Sequence, residues 1–259
     1  MKMPVLFIGH GSPMNIIAEN SYTRSLQKLG EMLPRPKAVL VISAHWETQG
    51  AFITAAPEPD IIYDFYGFPP ELYQTRYPCP GSPEVAGWLQ RMTQQQINTH
   101  PRRGLDHAAW AVLKHLMPRA DIPVLELSLD RRRTPQQHYQ LAKQLEPLRG
   151  QGILIIGSGN IVHNLSRVNF DSLYGQEVSW AVEFDRLISQ LLLTGDHERL
   201  IAYQALPNAH LAIPTDEHYL PLLYAVALQT PDDNLDFICS DIQNGSISMR
   251  SLMLNQSPE

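Results

Sequence analysis

Cysteine is scarce in this chain, and the two residues present, Cys79 and Cys239, stand far apart and outside any Cys-x-x-Cys spacing. That excludes a disulfide framework and a thiolate zinc site, and it fits a reducing cytoplasm. No apolar run approaches the ~20 residues of a membrane-spanning helix. The first apolar segment, in MKMPVLFIGHGSP, is too short for a signal-peptide core and is broken at once by Gly and Pro, so a cytoplasmic protein with no membrane partner is expected. Basic charge is also short: 20 Lys and Arg stand against 26 Asp and Glu, with no basic run beyond Arg131-Arg132-Arg133. A chain so balanced cannot neutralise a phosphate backbone, which excludes nucleic acid as a partner. Several catalytic signatures are missing as well. Ser158 and Ser12 lack the glycines of a nucleophile elbow. The dinucleotide fingerprint begins at Gly157 and Gly159 but fails at Val162, no Walker lysine follows it, and no His-Glu-x-x-His helix occurs.

What is present is enough apolar sequence, 44% of 259 residues, to bury a large core, and one α/β domain over residues 1–259 is expected. Short β-branched runs at 5–8, 38–43, 123–129 and 152–156 read as buried strands. Between and around them, helical spacing covers 21–33, 83–92, 108–116 and 134–148, the last with Thr134 as its cap. This alternation predicts a mainly parallel central sheet with helices on both faces. The last third adds helices at 177–193 and 218–227, then strands at 234–240 and 246–254 that suit antiparallel edge positions. Residues 56–83, dense in proline and aromatics, read as a loop of fixed shape. Tyr63, Phe65, Tyr66 and Phe68 in that loop either wall a planar substrate or pack the loop onto the domain.

Ligands of open parallel sheets bind beyond the carboxyl ends of the strands. His10, His45 and His163 each follow a predicted strand, and glycines beside the first and third allow sharp turns through positive φ. His107 opens a predicted helix, and His218 sits where Asp216 can cap another. Neutral imidazole is the commonest protein metal ligand, and histidines on separate strand ends can build a metal site with room for substrate. A lone histidine after a strand is more often structural, so the weight falls on His10 and His45 taken together. His100, His138, His197 and His210 read as solvated or structural, and His115 as packing or surface. Glu47 and Asp64 read first as surface or loop carboxylates, with orientation of a ligating imidazole as the alternative.

In order along the chain, GHGSPMN, LVISAHWE, GLDHAAW, IIGSGNIVHNL and PTDEHYLPLLYA resemble the LigB-type (class III) extradiol ring-cleavage dioxygenases, and within them the 4,5-DOPA dioxygenase branch. The resemblance runs from His10 to the region of Pro221. It implies a compact α/β fold around one mononuclear non-haem metal. By this resemblance His10 and His45 are two metal ligands, and His218 is the third in this branch. The wider superfamily uses a carboxylate there, so the neighbouring Glu217 stays open as the alternative. His163 matches the acid/base histidine, also within reach of a resting zinc, and His107 matches a second active-site histidine. The implied partners are a substituted, DOPA-like catechol and O₂, opened to a semialdehyde at Fe(II). Zn(II) competes for the same nitrogens in purified protein. Two other readings keep the fold and the metal: a zinc-dependent hydrolase of a small amide or ester, and a non-catalytic zinc-binding homologue.

Overall fold

The computed structural model describes residues 2–256. Strands β1 (Val5–Gly9), β2 (Ala38–Thr48), β3 (Ala51–Thr54), β4 (Ile97–His100), β5 (Val124–Asp130), β6 (Ile153–Gly159), β7 (Asp233–Cys239), β8 (Ile242–Gln243), β9 (Ile247–Ser248) and β10 (Ser251–Gln256) alternate with helices. The helices are α1 (Ser21–Met32), α2 (Pro70–Gln74), α3 (Pro83–Met92), α4 (His107–Leu116), α5 (Pro135–Lys143), α6 (Pro147–Gly150), α7 (Ser179–Thr194), α8 (His197–Ile201), α9 (Ala209–Ala212) and α10 (Leu220–Ala227). Eight strands form one sheet in the order β4-β3-β5-β2-β6-β1-β10-β7. Its centre, β5-β2-β6-β1, is parallel; β3 joins β5 antiparallel, and β10 and β7 add antiparallel strands beside β1. The expected architecture is the one found.

Alternation along β1 divides the interior in two, because successive side chains of a strand point to opposite faces. Val5 and Phe7 join Leu40 and Ile42 of β2 in one core, closed by α5, α7 and α10. Leu6 and Ile8 join Val39 and Val41 in the other, closed by α1 and α4. Both faces are therefore covered, as purely apolar parallel strands require.

Local chemistry departs from the expected boundaries in several places. The helix expected over 134–148 does start from a Thr134 capping box, but α5 ends at Lys143 and α6 begins at Pro147. Proline lacks the amide that would continue a helix and is well suited to open one. The side chain of Asp216 does not cap α10; its carbonyl accepts from the amides of Tyr219 and Leu220, and His218 lies ahead of the helix. The strand expected over 246–254 is split: 247–248 pairs with 242–243 as a small separate hairpin, and only 251–256 enters the main sheet. Among the described residues no helix is long and apolar enough to cross a membrane.

Candidate metal centre

The carboxyl ends of β1, β2 and β6 bring the histidines together. His10 leaves β1 directly and donates its amide to the carbonyl of Gly159 at 3.0 Å. His45 lies inside β2, which runs on past Ser43 to Thr48. Between Ile42 and Glu47 the register of β2 against β5 slips, so that five steps on β2 face two on β5. Such a bulge turns a strand and re-aims its side chains, and here it carries His45. The segment that holds His218 docks backbone to backbone on β6: the amide of Asn160 donates to the His218 carbonyl at 2.9 Å. A Cβ on Gly159 would stand 2.0 Å from that carbonyl oxygen, and one on Gly157 2.2 Å from the carbonyl oxygen of Pro221. These two glycines therefore permit close approach rather than positive φ, which is taken up by Gly11 beside His10 (φ 63°). His163 donates its amide to Ala212, and His107 opens α4 behind the capping carboxylate of Asp106.

All five predicted histidines meet. The rings of His10 and His45 approach each other and those of His107 and His218 with centroids between 4.2 and 5.5 Å, and His163 stacks on His218 at 3.5 Å with the planes 8° apart. His10, His45 and His218 each offer a ring nitrogen, all within 4.8 Å of one another. Their far nitrogens are held by acceptors. Ser158 Oγ donates to the Ala108 carbonyl at 2.7 Å, so toward His10 Nδ1, 3.1 Å away, it accepts. His45 Nδ1 faces Asp64 Oδ2 at 3.2 Å, and His218 Nδ1 faces Glu217 Oε1 at 3.1 Å. Protons on the three Nδ1 atoms leave three Nε2 lone pairs. The Nε2 atoms of His10 and His45 are 3.2 Å apart, and that of His218 is buried with no hydrogen-bond partner. Lone pairs so placed suit a cation among them, and this donor set fits a single divalent transition metal.

Electrostatics keeps most of the cluster neutral. Burial, then the neighbouring imidazoles, drives His10 and His218 well below the ordinary histidine value. Burial, then His45, lowers His107, and burial takes His163 down to about 4 against the pull of Glu217. His45 is the exception. Burial disfavours its charge, but the bond to Asp64 and the charges of Asp106, Asp64 and Glu217 prevail and raise it.

Of the two carboxylates weighed from sequence, Glu47 keeps its first reading and Asp64 takes the alternative one. Glu47 is an outer residue paired with Arg131 at 3.3 Å, whereas Asp64 lies within the cluster, grouped with His45 and His107. Ser158 and the buried Asp106 also support the site; both lie within the stretches that carry the resemblance, but as common residue types placed by tertiary packing they had no role assigned there. His115 is half-buried and bonds the Asn15 carbonyl, and His138 is buried against Tyr224, so neither belongs to the centre.

The chain matches, over residues 4–240, the family model described as the catalytic LigB subunit of aromatic ring-opening dioxygenase. It is 41% identical over 258 residues to the 4,5-DOPA dioxygenase extradiol of Escherichia coli, covering 98% of this chain and 95% of that protein. To the 4,5-DOPA dioxygenase extradiol of Beta vulgaris it is 38% identical, covering 95% and 94%. The crystal structure of an Escherichia coli K12 protein described as uncharacterized superposes with a TM-score of 0.85 at 36% identity, covering 98% of this chain and all of that one. Sequence, fold and the convergence of histidines at the strand ends agree: the chain belongs to the LigB family of aromatic ring-opening dioxygenases.

Proposed function

We propose that this extradiol dioxygenase opens a DOPA-like catechol by 4,5-cleavage to a semialdehyde. In this reading His10, His45 and His218 hold the metal, and His163 and His107 handle protons. Two relatives that match nearly the full chain carry the name 4,5-DOPA dioxygenase extradiol, which supports the substrate class. The observation that carries the metal assignment is the convergence of three imidazole nitrogens whose opposite faces are tied to Ser158, Asp64 and Glu217. Glu217 is thereby engaged with the back of the His218 ring, which favours the imidazole as the third ligand.

A divalent metal in this cluster, iron(II) in our reading, would supply open coordination positions and the redox chemistry that O₂ requires. The chain supplies orientation and protons. His163, kept neutral by burial and held flat against His218, can accept a proton from a catechol hydroxyl at a ring nitrogen and return it as the ring opens. His107, edge-on to His10 with centroids 5.5 Å apart, is the second proton carrier. Phe65 is buried and meets His107 edge-on, shielding that side from water, whereas Tyr66 is 91% exposed and walls nothing. Cys79 and Cys239 are buried free thiols, consistent with a reducing cytoplasm.

The test is oxygen consumption. Protein loaded with iron(II) without air, mixed with DOPA and then aerated, should take up one O₂ per catechol and form a yellow ring-opened product. Absence of uptake with every catechol tried would overturn the proposal. A zinc-loaded sample, with the same ligands but no accessible redox change, should be inert to O₂.

A further inference from the structure

Resting on that reading, we propose that Asp64 is the positioning residue of the centre: one carboxylate, delivered by the proline-rich loop, sets the tautomer of both the ligand His45 and the proton carrier His107. Asp64 Oδ2 lies 3.2 Å from His45 Nδ1 and 2.9 Å from His107 Nδ1, and Asp64 Oδ1 accepts the backbone amide of His107 at 2.9 Å. An ionised carboxylate only accepts. Both imidazoles therefore carry their proton on Nδ1, and both turn an Nε2 lone pair away from the loop. The position suits a negative charge, since Asp64 accepts the first amide of α4, that of His107, where the helix N-terminus favours anions. Its neighbours are fixed on either side. The Ile62 amide donates to the Leu105 carbonyl at 2.7 Å, and the Ile62 carbonyl accepts Trp110 Nε1 at 3.0 Å. Tyr63 donates its hydroxyl to the Thr75 carbonyl at 2.6 Å, and Phe65 packs edge-on to His107. The aromatic loop thus serves to hold one carboxylate in register with two rings.

An amide replaces it only in part: with its oxygen toward the two rings it gives up the backbone bond to His107 and the negative charge, and with its oxygen toward that backbone it gives up the rings. Asparagine has a single acceptor oxygen, so in either orientation its NH₂ faces an N–H of His107 or the Nδ1 protons of both rings. The second case forces a proton onto Nε2 of at least one ring, where the lone pair is needed. Replacing such a partner of a metal-bound histidine weakens metal binding by roughly 10–100-fold. We expect a loss of that size for Asp64→Asn in a Co(II) titration followed by visible absorption. The same variant should show a fall in kcat with little change in KM for the catechol, and Asp64→Glu should recover part of the affinity. Asp64→Asn protein that melts like the wild type and binds Co(II) as tightly, with unchanged kcat, overturns the inference. A second measurement needs no variant. Long-range ¹H–¹⁵N spectra of the zinc-loaded wild type should place the proton on Nδ1 of both His45 and His107, and a proton on Nε2 of either would contradict us. Loss of O₂ uptake in the wild type itself would instead count against the proposed function, leaving the tautomer test intact.

Discussion

At the scale of the residue, what distinguishes this centre is where each imidazole keeps its proton. Ser158 decides this for His10, because its own hydrogen goes to the Ala108 carbonyl and its lone pair is left for Nδ1. Ser158→Ala removes the acceptor and frees the ring to place its proton on either nitrogen. Metal affinity should fall by about tenfold, while the fold loses only about 1 kcal/mol for the missing hydrogen bond. Parallel Co(II) titration and urea denaturation of the variant would separate the two effects. The sequence disclosed the histidines because each stands beside a recognisable strand or helix start. Their partners were less legible: Asp64 stood only as an alternative orienting carboxylate and Ser158 had no assigned role, since both meet the rings only when α4 and the aromatic loop pack against the sheet.

At the scale of the element, the site depends on how closely the 218–221 segment seats on β6. No side chain separates the two backbones at Gly157 or Gly159. In Gly159→Ala the new methyl meets a carbonyl oxygen of the backbone, which cannot swing aside as a side chain would. Overpacking of this kind costs roughly 1–3 kcal/mol, and here relief of the clash displaces His218 itself. The midpoint of denaturation should drop, and Co(II) binding should weaken by more than in a variant of comparable stability altered far from the site. The apolar runs that form β1, β5 and β6, and the spacing that forms α1, α3, α4 and α7, were readable from sequence. β3 and β4 were not, being four residues each with no clear period. The extension of β2 through His45 and Glu47 was hidden for another reason: a polar stretch continues as strand because a bulge accommodates it.

At the scale of the whole molecule, buried polar ties join regions far apart in sequence. Arg149 and Asp233, both side chains fully buried, pair at 2.6 Å, and Arg149 also reaches the carbonyls of Met3 and Leu228. His138 on α5 meets the Tyr224 hydroxyl on α10 at 3.0 Å, and burial lowers its pKa from the ordinary 6.5 to about 4. A histidine that stays neutral in the fold yet charges when unfolded makes stability depend on pH with a definite sign. Its contribution is complete above pH 6.5 and drains away as the pH falls toward 4, to about 3 kcal/mol in all. Urea denaturation at several pH values should show a steeper acid loss for the wild type than for His138→Gln. Equal slopes would mean that His138 is not the group responsible.

The seating of His218 on β6 also has a consequence for the order of events during synthesis. His10 and His45 emerge early, but their third companion is made much later, and it is placed only by contact with a strand already in the sheet. A chain that has not reached residue 218 therefore offers two of the three proposed ligands and no complete cage. If the three imidazoles are the ligands proposed above, closing the cage around a metal is the last act of maturation, and a polypeptide cut short before its final third lacks the ring that completes it.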